Sequence, residues 1–250
     1  MNKRIDFHTH AKPSKRLPFS LDAFWSTVSQ ARQTELDAFV LTEHFHAPDF
    51  WTMYEVLCQT LPYDNGVLLI DDQLRVLTGA ELGVAEGCDI LLLGTLDQLG
   101  RFSQGLCASP VTGYKPPFDE ALEVARRHGL LMIGAHMYRC GKELARLGEA
   151  RLRRLDALEL NGKDFFNDAA VRDEARRLNL PVVGGSDAHV WLQVGIKTTV
   201  LPVHEVTPRS VARALAIGET DVHSLPYGPM AVQMSGAFKR MLKARVAQAA

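Results

Sequence analysis

Five short segments of the 250-residue chain carry side chains able to hold a metal ion or move a proton. The first, Asp6-Phe7-His8-Thr9-His10, follows an apolar run. Alternate residues of extended backbone share a face, so His8 and His10 point the same way with Cα atoms roughly 6.5 Å apart, and two imidazoles can meet on one ion. The others are Leu41-Thr42-Glu43-His44-Phe45-His46, Gly79-Ala80-Glu81, Gly134-Ala135-His136-Met137-Tyr138-Arg139 and Gly184-Gly185-Ser186-Asp187-Ala188-His189. Each places a ligand-type side chain at the end of an apolar run. Six of the nine histidines fall in these motifs, whereas His128, His204 and His223 stand in helical or loop contexts and read as structural. A mixed histidine and carboxylate set without cysteine suits Zn²⁺, Mn²⁺ or Fe²⁺ at a reactive site, and more than four ligands calls for at least two ions. Two neighbouring ions can bind a bridging hydroxide, lower its pKa toward neutrality and clamp both the attacking and the leaving oxygen of a displacement. Hydrolysis is the chemistry that needs this.

The elements that must position these groups follow from hydrophobic periodicity. Short apolar runs alternate with amphipathic stretches nearly from end to end, the pattern of repeated βα units around a parallel sheet. Strands are expected at Arg4–Phe7, Ala38–Thr42, Leu74–Ala80, Ile90–Gly94, Leu130–Ala135, Ala157–Leu160, Pro181–Gly184 and Thr198–Leu201. Helices are expected at Leu21–Thr34, Pro48–Thr60, Phe118–His128, Asp168–Leu178 and Pro208–Ile217, with Ser20, Asp168 and Thr207 as their starts. Val67–Ile70 and Leu74–Leu77 read as a hairpin around Asp71-Asp72-Gln73, and Gly100–Pro117 as a long loop able to cover a site. The ends of parallel strands converge on one crevice, which makes neighbours of motifs far apart in sequence. A single domain over 1–250 is expected, with a basic helical tail over about 230–250.

Composition narrows the class. The 28 basic and 29 acidic residues leave a formal net charge of -1, so no global field draws the chain to nucleic acid or membrane. No apolar run approaches the roughly 18 residues of a membrane span, and a cytoplasmic protein is expected. Cys58, Cys88, Cys107 and Cys140 lie far apart and read as reduced, with Cys88 and Cys140 as buried small hydrophobes.

The ordered motifs D-F-H-T-H, T-E-H, G-A-E, A-H-x-x-R and G-S-D-A-H resemble the PHP superfamily, the polymerase and histidinol phosphatase domain proteins, from His8 to His189. The resemblance implies an α/β fold, a distorted (β/α)7 TIM-like barrel with two or three metals at its mouth. It implies that His8, His10 and Asp187 hold one metal, that Glu81 bridges to a second bound by His136, and that His44 and His189 serve a third. Arg139, three residues past a ligand, would either clamp phosphate through its planar fork or stand as a solvated residue opening the next helix. Lys12, Lys15 and Arg16 either meet an anion too or form an exposed basic loop. Two departures bear on metal number. Leu91 stands where relatives carry a histidine, and the loop Ala11–Arg16 lacks the acid or histidine that often completes the third site. His46 could replace a missing ligand, and Glu43 could orient a ligand or a water from behind.

The resulting expectation is a metal-dependent phosphoesterase acting through a metal-bound hydroxide on a small phosphorylated metabolite or nucleotide, with Asp187 or His189 assisting proton transfer. The alternatives are an amidohydrolase-type enzyme cleaving a C–N or lactone bond, disfavoured because no lysine stands convincingly at a strand end, and a degenerate domain binding metal without turnover. Neutral charge makes long nucleic acid a poorer fit than small substrates.

Overall fold

The computed structural model describes residues 2–14, 17–106 and 114–249. The sheet path begins with β1 (Lys3–Thr9), β2 (Ala38–Leu41) and β5 (Arg75–Gly83), which are parallel. It continues through β6 (Asp89–Leu93) to β7 (Leu131–Gly134), β8 (Ala157–Asn161) and β9 (Val182–Gly185), the last three again parallel. The ring closes where Thr9 bridges Ala188 just beyond β9, His10 N–H donating to the Ala188 carbonyl. Seven strands thus make a nearly closed, distorted barrel, the architecture that the motif order implied.

All eight expected strands are present, but the sheet is not uniformly parallel. β6 runs antiparallel to both β5 and β7. Its link to β5 is only the turn Val84–Cys88, far short of the dozen or so residues a parallel crossover needs. β10 (Lys197–Leu201) is also reversed, wedged against the first half of β1 and continued by β11 (Asp221–Ser224). The expected hairpin forms as β4 (Val67–Leu69) against β5, with β3 (Tyr63–Asp64) outside it.

The coating helices are α1 (Leu21–Gln33), α2 (Phe50–Thr60), α4 (Phe118–Arg127), the short α5 (Glu149–Leu152), α6 (Asp168–Leu178) and α7 (Pro208–Ile217). Ser20 caps α1, and Thr207 caps α7 in a reciprocal box with Ser210. The loop expected over Gly100–Pro117 is partly helical: α3 (Leu96–Gly105) starts from a Thr95–Gln98 capping box and buries Leu99 and Phe102, a spacing that Gly100 and Gly105 obscured. Residues 107–113 of that segment lie outside the described residues, as do Lys15, Arg16 and Cys107. The tail is helical from Gly228 as α8 (Gly228–Ala249). Among the described residues no helix is long and apolar enough to cross a membrane. Cys88 is buried as expected, but Cys140 is exposed, carried outward by the irregular chain after β7.

Two apolar layers sit either side of the sheet. Ile5, Phe7, Val40, Leu77, Leu91, Ile133 and Val183 form part of one cluster, and Phe39, Leu41, Val76, Leu92, Met132 and Leu158 belong to the other, which continues into the helices. The alternation along each strand, Leu91 in one cluster and Leu92 in the other, identifies the barrel interior and the helix-facing side. Burying each such leucine contributes about 1.5–3 kcal/mol.

Candidate metal centre

One rim of the barrel collects the polar residues that the strands present beyond this apolar interior. β1 delivers His8 and His10, the chain after β2 delivers Glu43 and His44, β5 delivers Glu81, and the chains after β7 and β9 deliver His136, Asp187 and His189. The reversal of β6 matters here, because it brings the first residue of that strand, Asp89, to the same rim. Leu91, paired with Glu81 across the sheet, stays in the apolar interior.

His8, His10, Glu81, His136 and Asp187 are nearly inaccessible to solvent, at 0, 2, 2, 1 and 2% exposure, so the polar contacts among them are shielded from bulk solvent. Among the described residues three groups could each gather three ligand atoms, one per residue and all within 4.8 Å of one another: His8, His10 and Asp187; His8, Glu81 and His136; and His10, His44 and His189. Their geometry is unsatisfactory for hydrogen bonding alone. His8 Nε2 and His10 Nε2 face each other at 3.2 Å, so at least one must be protonated for any bond to exist between them. His10 Nδ1 and Glu81 Oε2 are buried without a hydrogen-bond partner, although His44 Nδ1 stands 2.8 Å from that oxygen. Buried acceptors converging on one another are costly unless a cation lies among them, and nitrogen and carboxylate donors suit a divalent metal. The residues fit such an ion.

The backbone is adapted to this convergence. His136 and Asp187 adopt left-handed φ values of 55° and 52°, a conformation that costs non-glycine residues on the order of 1–3 kcal/mol and is concentrated at functional sites. Gly185 allows β9 to reach β1: a Cβ there would lie 2.5 Å from that of His8 and 2.6 Å from Glu159 Oε1. Asp6 fixes the same junction by accepting from the backbone N–H groups of Ser186 at 2.8 Å, Gly195 at 2.9 Å and His8 at 3.1 Å. Burial pushes the Asp6 carboxyl up to about 6 despite those donors.

Several contributors escaped the sequence reading. Glu159 on β8 accepts from His8 Nδ1 at 2.7 Å, which fixes the tautomer and leaves Nε2 facing the cluster. Asn161 lies one alternation further on, 3.3 Å from His136 Nδ1 and 3.0 Å from Glu159 Oε1. The signal was present in Ala157-Leu158-Glu159-Leu160-Asn161, where polar side chains alternate with leucines at a strand's end. Lys163 Nζ donates to Asp187 Oδ1 at 2.7 Å and lies 3.2 Å from His189 Nδ1. Lys142 pairs with Asp89 and stands 3.8 Å from Glu81 Oε1.

These charges set the ionisation of the cluster. Burial opposes ionisation of Glu81, but the surrounding His44, His136 and His8 outweigh it and hold the carboxyl well below the ordinary range. Asp187 is depressed in the same way, against burial, by Lys163, His8 and His10. Burial likewise opposes the His8 imidazolium, yet the Glu159 and Asp187 carboxylates raise its pKa well above the usual value. Burial, His10 and Lys163 together drive His189 well below it, which leaves that ring neutral with a lone pair to offer.

Of the residues singled out in the sequence, His8, His10, His44, Glu81, His136, Asp187 and His189 come together. Arg139 joins them: its Nη1 reaches Asp187 Oδ2 at 2.8 Å while Nε and Nη2 are held by Asp164 at 3.0 Å and Asn161 at 2.7 Å. Glu43 stands behind the ligands, 3.7 Å from His10 Nδ1, and accepts from the His44 N–H at 2.9 Å. Two residues are elsewhere. Lys12 is buried in an ion pair with Asp49, whose other oxygen accepts from Phe19 N–H, so its ammonium does not face the cluster. His46 turns to the Gly83 carbonyl, 3.4 Å away, because the irregular chain after β2 reverses its direction.

Comparison with known proteins agrees with this fold. Residues 167–220 match the PHP-associated family model, PHP_C. No curated protein matches the sequence. The fold superposes on PsfC from Pseudomonas syringae with a TM-score of 0.82 and 25% identity, over 96% of this chain and 99% of that one. It superposes on the lesion-specific endonuclease Q of Pyrococcus furiosus with a TM-score of 0.70 and 19% identity, over 89% of this chain but 58% of that one. A two-domain Bacteroides vulgatus protein containing a predicted PHP-like metal-dependent phosphoesterase shares the fold at a TM-score of 0.61 and 17% identity, over 90% of this chain and 65% of that one. With the ordered motifs brought to one rim of a barrel of this type, the chain is similar to the PHP proteins in its fold and, over residues 167–220, to the PHP-associated family model.

Proposed function

We propose that the protein is a metal-dependent hydrolase that cleaves phosphoric esters of small molecules. The observation that carries this reading is the set of three ligand triads linked in pairs through His8 and His10 at a largely buried, strained rim. His8, His10 and Asp187 would hold one divalent ion and His136 a second, with Glu81 placed between the two sets. His10, His44 and His189 offer a third position. Zn²⁺, Mn²⁺ and Fe²⁺ all suit these donors. Bound ions would activate water at neutral pH and neutralise charge on the leaving oxygen.

The chain's own residues supply the rest. Glu159 holds His8 in one tautomer, and Glu43 buttresses His10 and His44. Arg139 is the phosphate clamp: Asp164 and Asn161 fix two of its nitrogens, which leaves Nη1 aimed at the cluster to exchange Asp187 for a phosphate oxygen. Lys163 offers a second positive charge beside His189. His189 and Asp187, 3.3 Å apart, are the two groups placed to assist proton transfer at the reacting centre.

Two earlier exclusions weaken. Lys163 does follow a strand, β8, at the site, which revives amide or lactone hydrolysis as a second reading. Its ion pair with Asp187 favours a fixed cation over the neutral amine that a bridging carbamate requires. Endonuclease Q, on the same fold, has been seen with a 27-mer duplex carrying an abasic lesion at its active site, so a barrel of this kind can receive nucleic acid as well as small substrates.

The test is metal content per chain by plasma mass spectrometry, paired with phosphate release from nitrophenyl esters and phosphorylated metabolites and with strand cleavage of an abasic duplex. Two or more ions with phosphate release, abolished by chelation, is the expected outcome. Metal without phosphate release transfers the reading to amides and lactones. No metal after reloading removes the enzyme reading altogether.

A further inference from the structure

Beside the third triad lies a cavity of about 230 Å³ that the reading above does not use. His10 and His189 form its polar end. Its walls are otherwise largely apolar, with Ala23 of α1, Val190 and Trp191 after β9, and Phe238 and Leu242 of α8, interrupted only by the small hydroxyl side chains of Ser26 and Thr27 on α1. An apolar cavity of about 150 Å³ accommodates benzene, so this one has room for a ring and a short substituent. Its polarity is directional. His189, in contact with the cavity, has Lys163 Nζ 3.2 Å from its Nδ1, and the ring of His10 lies 3.9 Å from that of His189, centroid to centroid. A ligand reaching from the cluster would therefore meet cation and imidazole at one end and aromatic and aliphatic carbon at the other. Apolar pockets with a few convergent polar groups are the usual form of a small-molecule site. Trp191 and Phe238 remain 41 and 37% exposed at this mouth, apolar surface that the protein itself leaves uncovered.

We infer that the substrate carries an apolar, ring-sized group next to its anionic end, seated in the cavity beneath α8 while the anion meets Lys163 and the metal cluster. The inference rests on the hydrolase reading for the role of the anion, but not on which bond is cut. It makes α8 a specificity element rather than a mere tail.

The probes are phenylphosphonate and methylphosphonate, neither of which contains a phosphoester bond, titrated by calorimetry into the metal-loaded full chain. Phenylphosphonate should bind at least about tenfold more tightly, since even one methylene in a fitted pocket is worth about tenfold or more. Ala23→Phe, which fills the cavity from α1, should erase the difference while methylphosphonate affinity persists and attests the fold. Phe238→Ala, which removes a wall, should reduce the preference by a smaller factor. Equal affinities in the unaltered protein, or a preference that survives Ala23→Phe, overturn the inference. If neither phosphonate binds, benzoate against acetate repeats the comparison for carboxylates, and equal or absent binding there overturns it too. A preference abolished by Ala23→Phe without hydrolysis of any phosphoester would leave the cavity assignment standing and remove only the phosphoesterase reading.

Discussion

The same strands build two regions of opposite character within a few residues of each other. In the barrel interior, Ile5, Phe7, Leu77, Leu91, Ile133 and Val183 fill the space with carbon. At the rim, His8, Glu81, His136, Glu159 and Asp187 are as deeply buried, yet their polar atoms crowd together and some have no partner. The first region stabilises the fold by removing apolar surface from water. The second costs stability, through desolvated charge and through left-handed backbone at His136 and Asp187. A protein tolerates such a rim only when a close-packed layer beneath holds it, and what it gains is a set of candidate metal ligands already fixed in place.

That contrast can be broken most severely at the rim. His10→Ala and Asp187→Asn should each lower metal content and activity by more than the roughly 100-fold that losing a ligand's supporting partner costs, with circular dichroism unchanged. Retention of metal and turnover by both variants would falsify the assignment. The converse substitution is Leu77→Ala in the apolar layer, which should cost about 2–5 kcal/mol in denaturant unfolding while leaving metal per folded chain intact. A loss of metal at full stability there would mean that the two regions are not separable.

Smaller changes sharpen the boundary. Glu159→Gln keeps the shape of the side chain but weakens its hold on the His8 Nδ1–H, and metal affinity should fall about 10–100-fold in a competition titration. Unchanged affinity would reduce Glu159 to a structural group. Arg139→Ala should raise KM for phosphoesters about tenfold, with metal content constant to within measurement, because the clamp binds substrate and not the ion. Equal KM values in variant and parent would return Arg139 to its salt bridge with Asp164.

Much of this architecture was legible because its signals are local. Hydrophobic runs marked all eight expected strands, and Ser20 and Thr207 marked helix starts, since capping needs only a side chain and the next turn. Local signals also misled. Gly100 and Gly105 hid α3, whose apolar positions belong to the helix and not to a loop. The reversal of β6 was not visible in its composition, because a buried strand reads as apolar in either direction. Lys12 lay close to the first motif in sequence and was offered to an anion, but its partner Asp49 is 37 residues away.

The sequence by itself determined that histidines and carboxylates would follow strand ends, and hence that a metal-binding rim was possible, because residue type and two-residue alternation are properties of the chain alone. Only the tertiary structure decided which of them meet. It brought Glu159, 151 residues from His8, to the back of that imidazole, and it reversed β6 so that Asp89 faces the site and Leu91 the core. It also set Lys163 against Asp187 and laid α8 beside His10 and His189. Coordination and electrostatics act over a few ångströms, so the distances that govern them exist only once the sheet has closed.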